Sequence, residues 1–475
     1  MSAILALAMV STLAQLPFTL QLDELPCGGD PPPLHSFCLG RSQEKFLLLA
    51  GRTGGMHTFR KGTNNFPPSS QNYRAYVLDP SVPRFVGSFD LKALGPALAD
   101  PLSSTNAEWV QVGDFLYLVG GYGQDSTTNR MVTFGTITRI EVGPVIQAIA
   151  RGNVDPCTIA RYIRQTRDPR LAVAGGSLHA FGSQFALVFG NSFQGAYTGD
   201  LASYDRAVGF QQTYTEGVWS FFVDTNLNLS KFVLCQPFLP DLPFNRRDFT
   251  ALGTILPDGT RSIIVYGGVF RAGTLNAFLN PVVITPNPRY SPSGTYPTNP
   301  DPFLLTVDTR FSQALSQYNC ASFMLYDPTS RESYATLFGG ISRYYCPAKF
   351  DPTKLQQDSP DPARGIDGLP FVDSISTIAR HPDGSSTQYV WPFRLPALMG
   401  ADALFLPSSA VDRDVSGFLR IDSVKSRTFV GWVYGGIVAE RPYSVQGPTR
   451  ASNRLFRVSI TPTPTTLPAA AVPNP

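Results

Sequence analysis

Charge is scarce in this chain: 15% of its 475 residues are charged, and the formal net charge is only +3. No Lys/Arg run interleaves with aromatics, so the electrostatic footprint of a nucleic-acid-binding protein is missing. No stretch reaches the roughly 18 consecutive apolar residues of a permanent membrane helix, and no membrane anchor is expected. The four histidines show no HxH or HxxxH spacing, and there is no CxxC, which disfavours a metal centre or a thioredoxin-type redox site. GxSxG, a phosphate-binding glycine loop and a dinucleotide fingerprint are also absent between strand and helix, so no cofactor is expected. With 41 Gly and 42 Pro, long helices are not expected either; the composition fits many short strands joined by turns.

What the chain does contain is a recurring phrase, an apolar strand running into glycine. It appears as LLLAGR (47 to 52), LYLVGGYG (116 to 123), ALVFGNS (186 to 192), IIVYGGV (263 to 269), ATLFGGI (335 to 341) and GWVYGGI (431 to 437). Counted from the first glycine of each, the copies stand at 51, 120, 190, 267, 339 and 435. Such a recurrence marks a radial array of small sheets, because one sheet cannot bury both faces without neighbours. The expectation is an all-β, six-bladed β-propeller over residues 15–460, with four-stranded antiparallel blades. The alternating strand Phe18 to Leu22 is expected to close the ring as the outer edge of the last blade. Aligned on the first glycine, the second position reads Arg52, Gly121, Asn191, Gly268, Gly340 and Gly436. Asn191 then fits a left-handed backbone and Arg52 does not. VIQAIA (145 to 150) reads as either a fourth strand or a helical turn.

Residues 1–14, MSAILALAMVSTLA, form a short apolar segment ending in small residues, expected to be a signal peptide, although no basic residue precedes Arg41. That places the protein outside the cell, at its surface or in the periplasm. Residues 461–475 are rich in Pro, Thr and Ala and are expected to be a disordered tail unable to pair in a sheet. In an exported chain the six cysteines are expected to form disulfides, with Cys27–Cys38 and Cys320–Cys346 preferred and Cys157 left with Cys235.

An apolar strand ending in Gly-Gly, with a strand pair outside it, resembles the kelch-type propellers. More narrowly, the phrases LHSF (34 to 37), GRTGGMHTF (51 to 59), LSSTN (102 to 106), TFGTIT (133 to 138), NRRDF (245 to 249) and YGGVF (266 to 270) are similar to those of an uncharacterised group of exported bacterial kelch-like proteins. That group carries His before Arg-Arg-Asp, where this chain has Asn245. The resemblance implies a six-bladed propeller and export, and supplies no activity.

In a four-stranded blade, the loop from second to third strand and the connection to the next blade lie on one face. The first class supplies Arg52, His57, Tyr122, Gln194, Tyr197, Arg271, Arg343, Tyr344 and Arg441. The second supplies His35, Asn106, His179, Arg246, Arg247, Asp248, Asn319 and Asp402. From these the expected ligand-binding residues are Arg52, Asn106, Tyr122, Gln194, Tyr197, Arg246, Arg247, Arg271 and Arg343. Forked Arg donors and Tyr faces suit a ligand with carboxylate or hydroxyl groups. The expected function is a binding module for carbohydrate or a protein surface ligand at the axial mouth. The rival is a glycan-active lyase, isomerase or hydrolase using Asp248 and His57 as the acid–base pair. A bland alternative is that Asp248 and the arginines only tie blades together. His179 reads as a packed inner residue, and His381, in HPDG, as a turn residue. Neither the ligand nor the oligomeric state can be read from the sequence.

Overall fold

Each of the six glycine-ended apolar runs becomes the second strand of an antiparallel sheet: Lys45–Leu49, Phe115–Val119, Gln184–Val188, Arg261–Tyr266, Glu332–Ile341 and Thr428–Ala439. In a computed structural model, residues 16–462 and 470–472 are described, apart from 58–63, 153, 198–209, 238, 240–242, 272–275, 295–298, 347–353, 365, 410 and 412–417. The expected signal segment, 1–14, lies outside them. These second strands are almost wholly buried, as in KFLLL and SIIVY, because both faces are covered. In the sixth sheet, Phe18–Leu25 pairs antiparallel with Leu455–Pro462, from Phe18 opposite Pro462 to Leu25 opposite Leu455. The N-terminal strand therefore forms the outer edge of the sheet built by the C-terminal strands.

The apolar core is divided among the spaces between sheets. Leu47 and Val77 of the first sheet pack with Leu116 and Ile140 of the second. Val119 of the second packs with Leu187 of the third, and Val188 of the third with Val265 of the fourth. Ile264 of the fourth meets Leu337 of the fifth, and Phe323 of the fifth meets Val433 of the sixth. Phe46 and Leu48 of the first sheet share a cluster with Trp432 and Tyr434 of the sixth. An all-β chain of four-stranded antiparallel sheets packed face to face in sequence order is consistent with a β-propeller.

The glycines mark where neighbouring sheets press together. Gly120 and Gly121 both have positive φ, 67° and 84°, and Gly121 N donates to the Val173 carbonyl of the next sheet at 2.8 Å. A Cβ on Gly120 would overlap that carbonyl. The register of this doublet corrects the sequence alignment. In the first and third sheets the left-handed pairs are Ala50-Gly51 and Phe189-Gly190. Arg52 and Asn191 are the residues that follow and are bridge-paired with His35 and Ala174. Phe189 is held in its left-handed position by stacking on Phe244, with ring centroids 5.4 Å apart.

Other expectations meet local surprises. Val142–Arg151 is a helix with Val142, Val145, Ile146 and Ile149 buried, an i, i+3, i+4, i+7 stripe packed against the first sheet. Ile163–Arg167 supplies the fourth strand of the second sheet. A further four-stranded sheet, not anticipated, joins the hairpin Tyr122–Asp125/Arg130–Thr133 to the hairpin Asn191–Gln194/Gln211–Tyr214 through Gln194 opposite Val132. In the tail, Ala470–Val472 pairs with Gln388–Val390, so this short segment does join a sheet edge. No disulfide joins any of the six cysteines. Cys27, Cys38 and Cys320 belong to three different inter-sheet clusters, which places the preferred partners in separate cores. Burial pushes the Cys235 and Cys320 thiols up to about 12.

Candidate functional site

The connection entering each sheet places one residue in the left-handed region: Ser36, Asn106, Gly175, Asp248, Asn319 and Asp402, with φ between 47° and 69°. Backbone hydrogen bonds link them in two trios: Asp248 N donates to Gly175 O and Gly175 N to Asn106 O, while Ser36 N donates to Asp402 O and Asp402 N to Asn319 O. They separate two cavities, a mouth above and a channel of about 370 Å³ below, and line both. Asn and Asp are the side chains that best tolerate this backbone while keeping a polar group at the hub.

The wall of the mouth is set by a second rule. In each sheet the residue before the hub position pairs with the residue after the left-handed doublet: His35 with Arg52, Thr105 with Tyr122, Ala174 with Asn191, Arg247 with Val269, Tyr318 with Ile341. Ala401 and Ile437 are likewise paired in the sixth sheet. All of these pairs line the mouth. The wall is therefore two-sided. His35, Arg52, Tyr122, Asn191 and Arg247 make a polar side, and Val269, Ile341, Ala401 and Ile437 make an apolar one.

Among the expected site residues, Arg52, Asn106, Tyr122, Arg247, Asp248 and His57 come together here. Arg52 is 5% exposed, lies over the Phe66 ring at 4.8 Å, and is brought down to about 10 by burial. His57 stacks on the same Phe66 ring, with centroids 4.5 Å apart. Tyr122 donates from its hydroxyl to Gly195 O at 2.8 Å, and burial raises it well above an ordinary phenol. Tyr197 packs behind the wall, edge-on to His57 at 5.1 Å, and its backbone N–H donates to the Tyr122 hydroxyl. Arg247 pairs with Asp248 at 3.5 Å and faces the Phe193 and Phe270 rings. Asp248 accepts from Asn106 Nδ2 at 3.3 Å; burial, the largest influence, pushes its carboxyl up to about 6 against the pull of Arg247.

Four expected residues sit elsewhere. Arg246 is 1% exposed and donates to the carbonyls of Pro243, Gly267 and Asn280 while lying over Phe278 at 4.1 Å. It is a structural clamp, because its guanidinium is committed to backbone carbonyls of the core. Gln194 lies on the added sheet beside a different surface cavity. Arg271 is solvent-exposed, and Arg343 lies over Tyr344, both outside the mouth lining. His179 lines the channel beneath the hub and is brought down to about 4 by burial. His381 sits in its expected turn, paired with Glu332 at 2.7 Å.

The mouth also holds groups that sequence reasoning did not select. Asn191 is fully buried, yet neither atom of its amide has a hydrogen-bond partner among the described residues; His35 Nε2 and Arg52 Nε are in the same condition. A buried polar atom left unmet costs about 1–3 kcal/mol. Several such atoms around one cavity are what a preformed ligand site looks like. The signal was available in the sequence only as position, directly after the glycine that closes an apolar strand.

No protein-family model matches the chain, and no curated protein sequence is similar to it. Among solved structures, one titled "Structure of YjhT" aligns over 92% of this chain and 99% of its own, at 10% identity and a TM-score of 0.48.

Proposed function

We propose that this protein is an exported, six-bladed, kelch-like propeller whose axial mouth binds a small polar ligand, a carbohydrate or another compound bearing hydroxyl and carboxylate groups. The six inter-sheet cores, one of them uniting first and last sheets, support the ring. Export rests on the sequence of residues 1–14. The observation that carries the binding reading is Asn191, whose unmet amide, fully buried, lines the mouth beside Arg52 and His35. An amide offers both a donor and an acceptor, as a hydroxyl-rich ligand does, and the two arginines suit a carboxylate.

The test is calorimetric titration with neutral and acidic sugars of wild type, Asn191→Ala and Arg247→Ala. Loss of affinity of about 10-fold or more is expected in Asn191→Ala for the ligand that binds, together with unchanged or raised thermal stability, since an unmet buried amide has been removed. Equal binding by all three proteins would dismiss the mouth as the site. The second reading, a glycan-active enzyme, is favoured by one specific feature: a carboxyl held at about 6 in the lining of the mouth, the condition of a group that can give as well as take a proton near neutral pH.

A further inference from the structure

Four side chains where the fifth, sixth and first sheets meet form a unit that binding alone does not require. Asp402 Oδ2 lies 3.2 Å from His35 Nδ1 and accepts from Ser36 Oγ at 2.6 Å, while Asn319 Nδ2 donates to its other oxygen. His35 Nδ1 also lies 3.0 Å from Ser36 Oγ, whose hydroxyl is committed to Asp402, so an Nδ1–H donating to Ser36 Oγ and Asp402 Oδ2 satisfies the cluster and leaves Nε2 as a lone-pair acceptor. His35 is 3% exposed and lines the mouth, and its Nε2 has no partner among the described residues. A carboxylate that fixes the tautomer and direction of a histidine, with the far nitrogen turned to a cavity, is the arrangement of a positioned base. His57, by contrast, is engaged in stacking on Phe66.

Asp248 lines the same cavity, with Asn106 and Arg247 on its oxygens. We infer that the mouth is a proton-transfer site, in which His35 Nε2 takes a proton from the bound ligand, Asp248 supplies one, and Asp402 positions His35. The ligand class is a small α-hydroxy carbonyl compound, such as the open-chain form of a sugar or sugar acid. This rests on the reading that the mouth binds such a ligand.

The step balances without another reactant. The C–H bond beside the carbonyl breaks, its proton passes to Nε2, and its electron pair becomes the C=C bond of an enediol as the carbonyl oxygen takes the Asp248 proton. In the return half, the imidazolium gives its proton to the neighbouring carbon, and the Asp248 carboxylate takes one from the other hydroxyl, so the carbonyl has moved by one carbon. Arg52 and Arg247 would counter negative charge that builds on the oxygens. The apolar side of the wall offers a surface for the C–H edge.

Two measurements on the full chain test this. The first is ¹⁵N NMR of the four histidines: the neutral form of His35 is expected to carry its proton on Nδ1, and Asp402→Asn is expected to shift that ring toward the Nε2-protonated tautomer. Finding Nε2 protonated in wild type would overturn the proposal whatever the ligand. The second is incubation with glucose, glucuronate and galacturonate in D₂O, following deuterium at the carbon beside the carbonyl, with calorimetry on the same samples. Incorporation by wild type, slowed on the order of 100-fold in His35→Gln and in Asp248→Asn while binding by His35→Gln stays within a few-fold, is the expected result. Binding without incorporation, or incorporation undiminished in His35→Gln, overturns the proton-transfer role and leaves the binding reading standing. No binding of any of the three sugars by wild type overturns the sugar-binding reading and the proposal with it.

Discussion

Asp248 couples the site to the stability of the whole chain. Its carboxyl stands at about 6 in the folded protein, whereas an unfolded aspartate titrates near 4. Between those values the folded state keeps a proton that the unfolded chain has lost. The stabilisation this gives is present below about pH 4 and is lost as pH rises through about 6. Asp248→Asn keeps the shape but cannot ionise. The stability of wild type relative to this variant is therefore expected to fall by on the order of 1–3 kcal/mol between pH 4 and 6.5 and then level off, read from denaturant melts at each pH. A constant difference across that range would mean that the folded protein does not hold the Asp248 carboxyl above its unfolded value. Its neighbours show how much of a site one residue decides. Arg246 and Arg247 are indistinguishable by type and adjacent in sequence, yet the first clamps three carbonyls in the core and the second faces the mouth.

At the scale of elements, the left-handed doublet closing each second strand sets the geometry. It brings one sheet's backbone against the next and aims the following residue into the mouth. Gly268, with φ 92°, would place a Cβ 2.9 Å from the Phe249 Cβ and 3.1 Å from the Arg247 carbonyl oxygen. Gly268→Val is expected to cost about 1–3 kcal/mol in a thermal melt. Ala50 is the informative contrast: it already holds φ 62° without glycine's freedom. Ala50→Gly should leave stability unchanged or raise it by up to about 1 kcal/mol, because the strain it removes opposes the entropy it adds. A clear loss in Ala50→Gly would argue that the methyl group's packing outweighs the strain. The six strands were legible because burial on both faces writes itself into continuous apolar runs, whereas the stretch 145–150 reads as either strand or helical turn, and only packing against the first sheet makes it a helix. The doublet's register was not legible, since Ala50 and Phe189 stand where the other copies have glycine.

For the molecule as a whole, the decisive contact is between its ends. Phe18 and Leu20 are buried among residues of the fifth and sixth sheets, and their strand pairs along its full length with Leu455–Pro462. Removing residues 1–25 would strip the outer strand from the last sheet and leave an unpaired edge. The truncated chain is expected to melt at a markedly lower temperature and to aggregate on heating, as seen by light scattering. An unchanged, fully reversible melt would show that the end-to-end pairing contributes nothing.

Repetition, the six apolar strands and their turns were settled by the sequence alone, because these follow from local composition and spacing. The same local logic placed Arg52, Asn106, Tyr122, Arg247 and Asp248 in connections at one mouth. Packing between sheets decided what no local pattern holds: that Asn191 lines the cavity with its amide unmet, that His35 is gripped by Asp402 from 367 residues away, and that Cys38 and Cys320 lie in separate cores. Contacts of that kind depend on how one sheet seats against the next, and that seating exists only once the chain has folded.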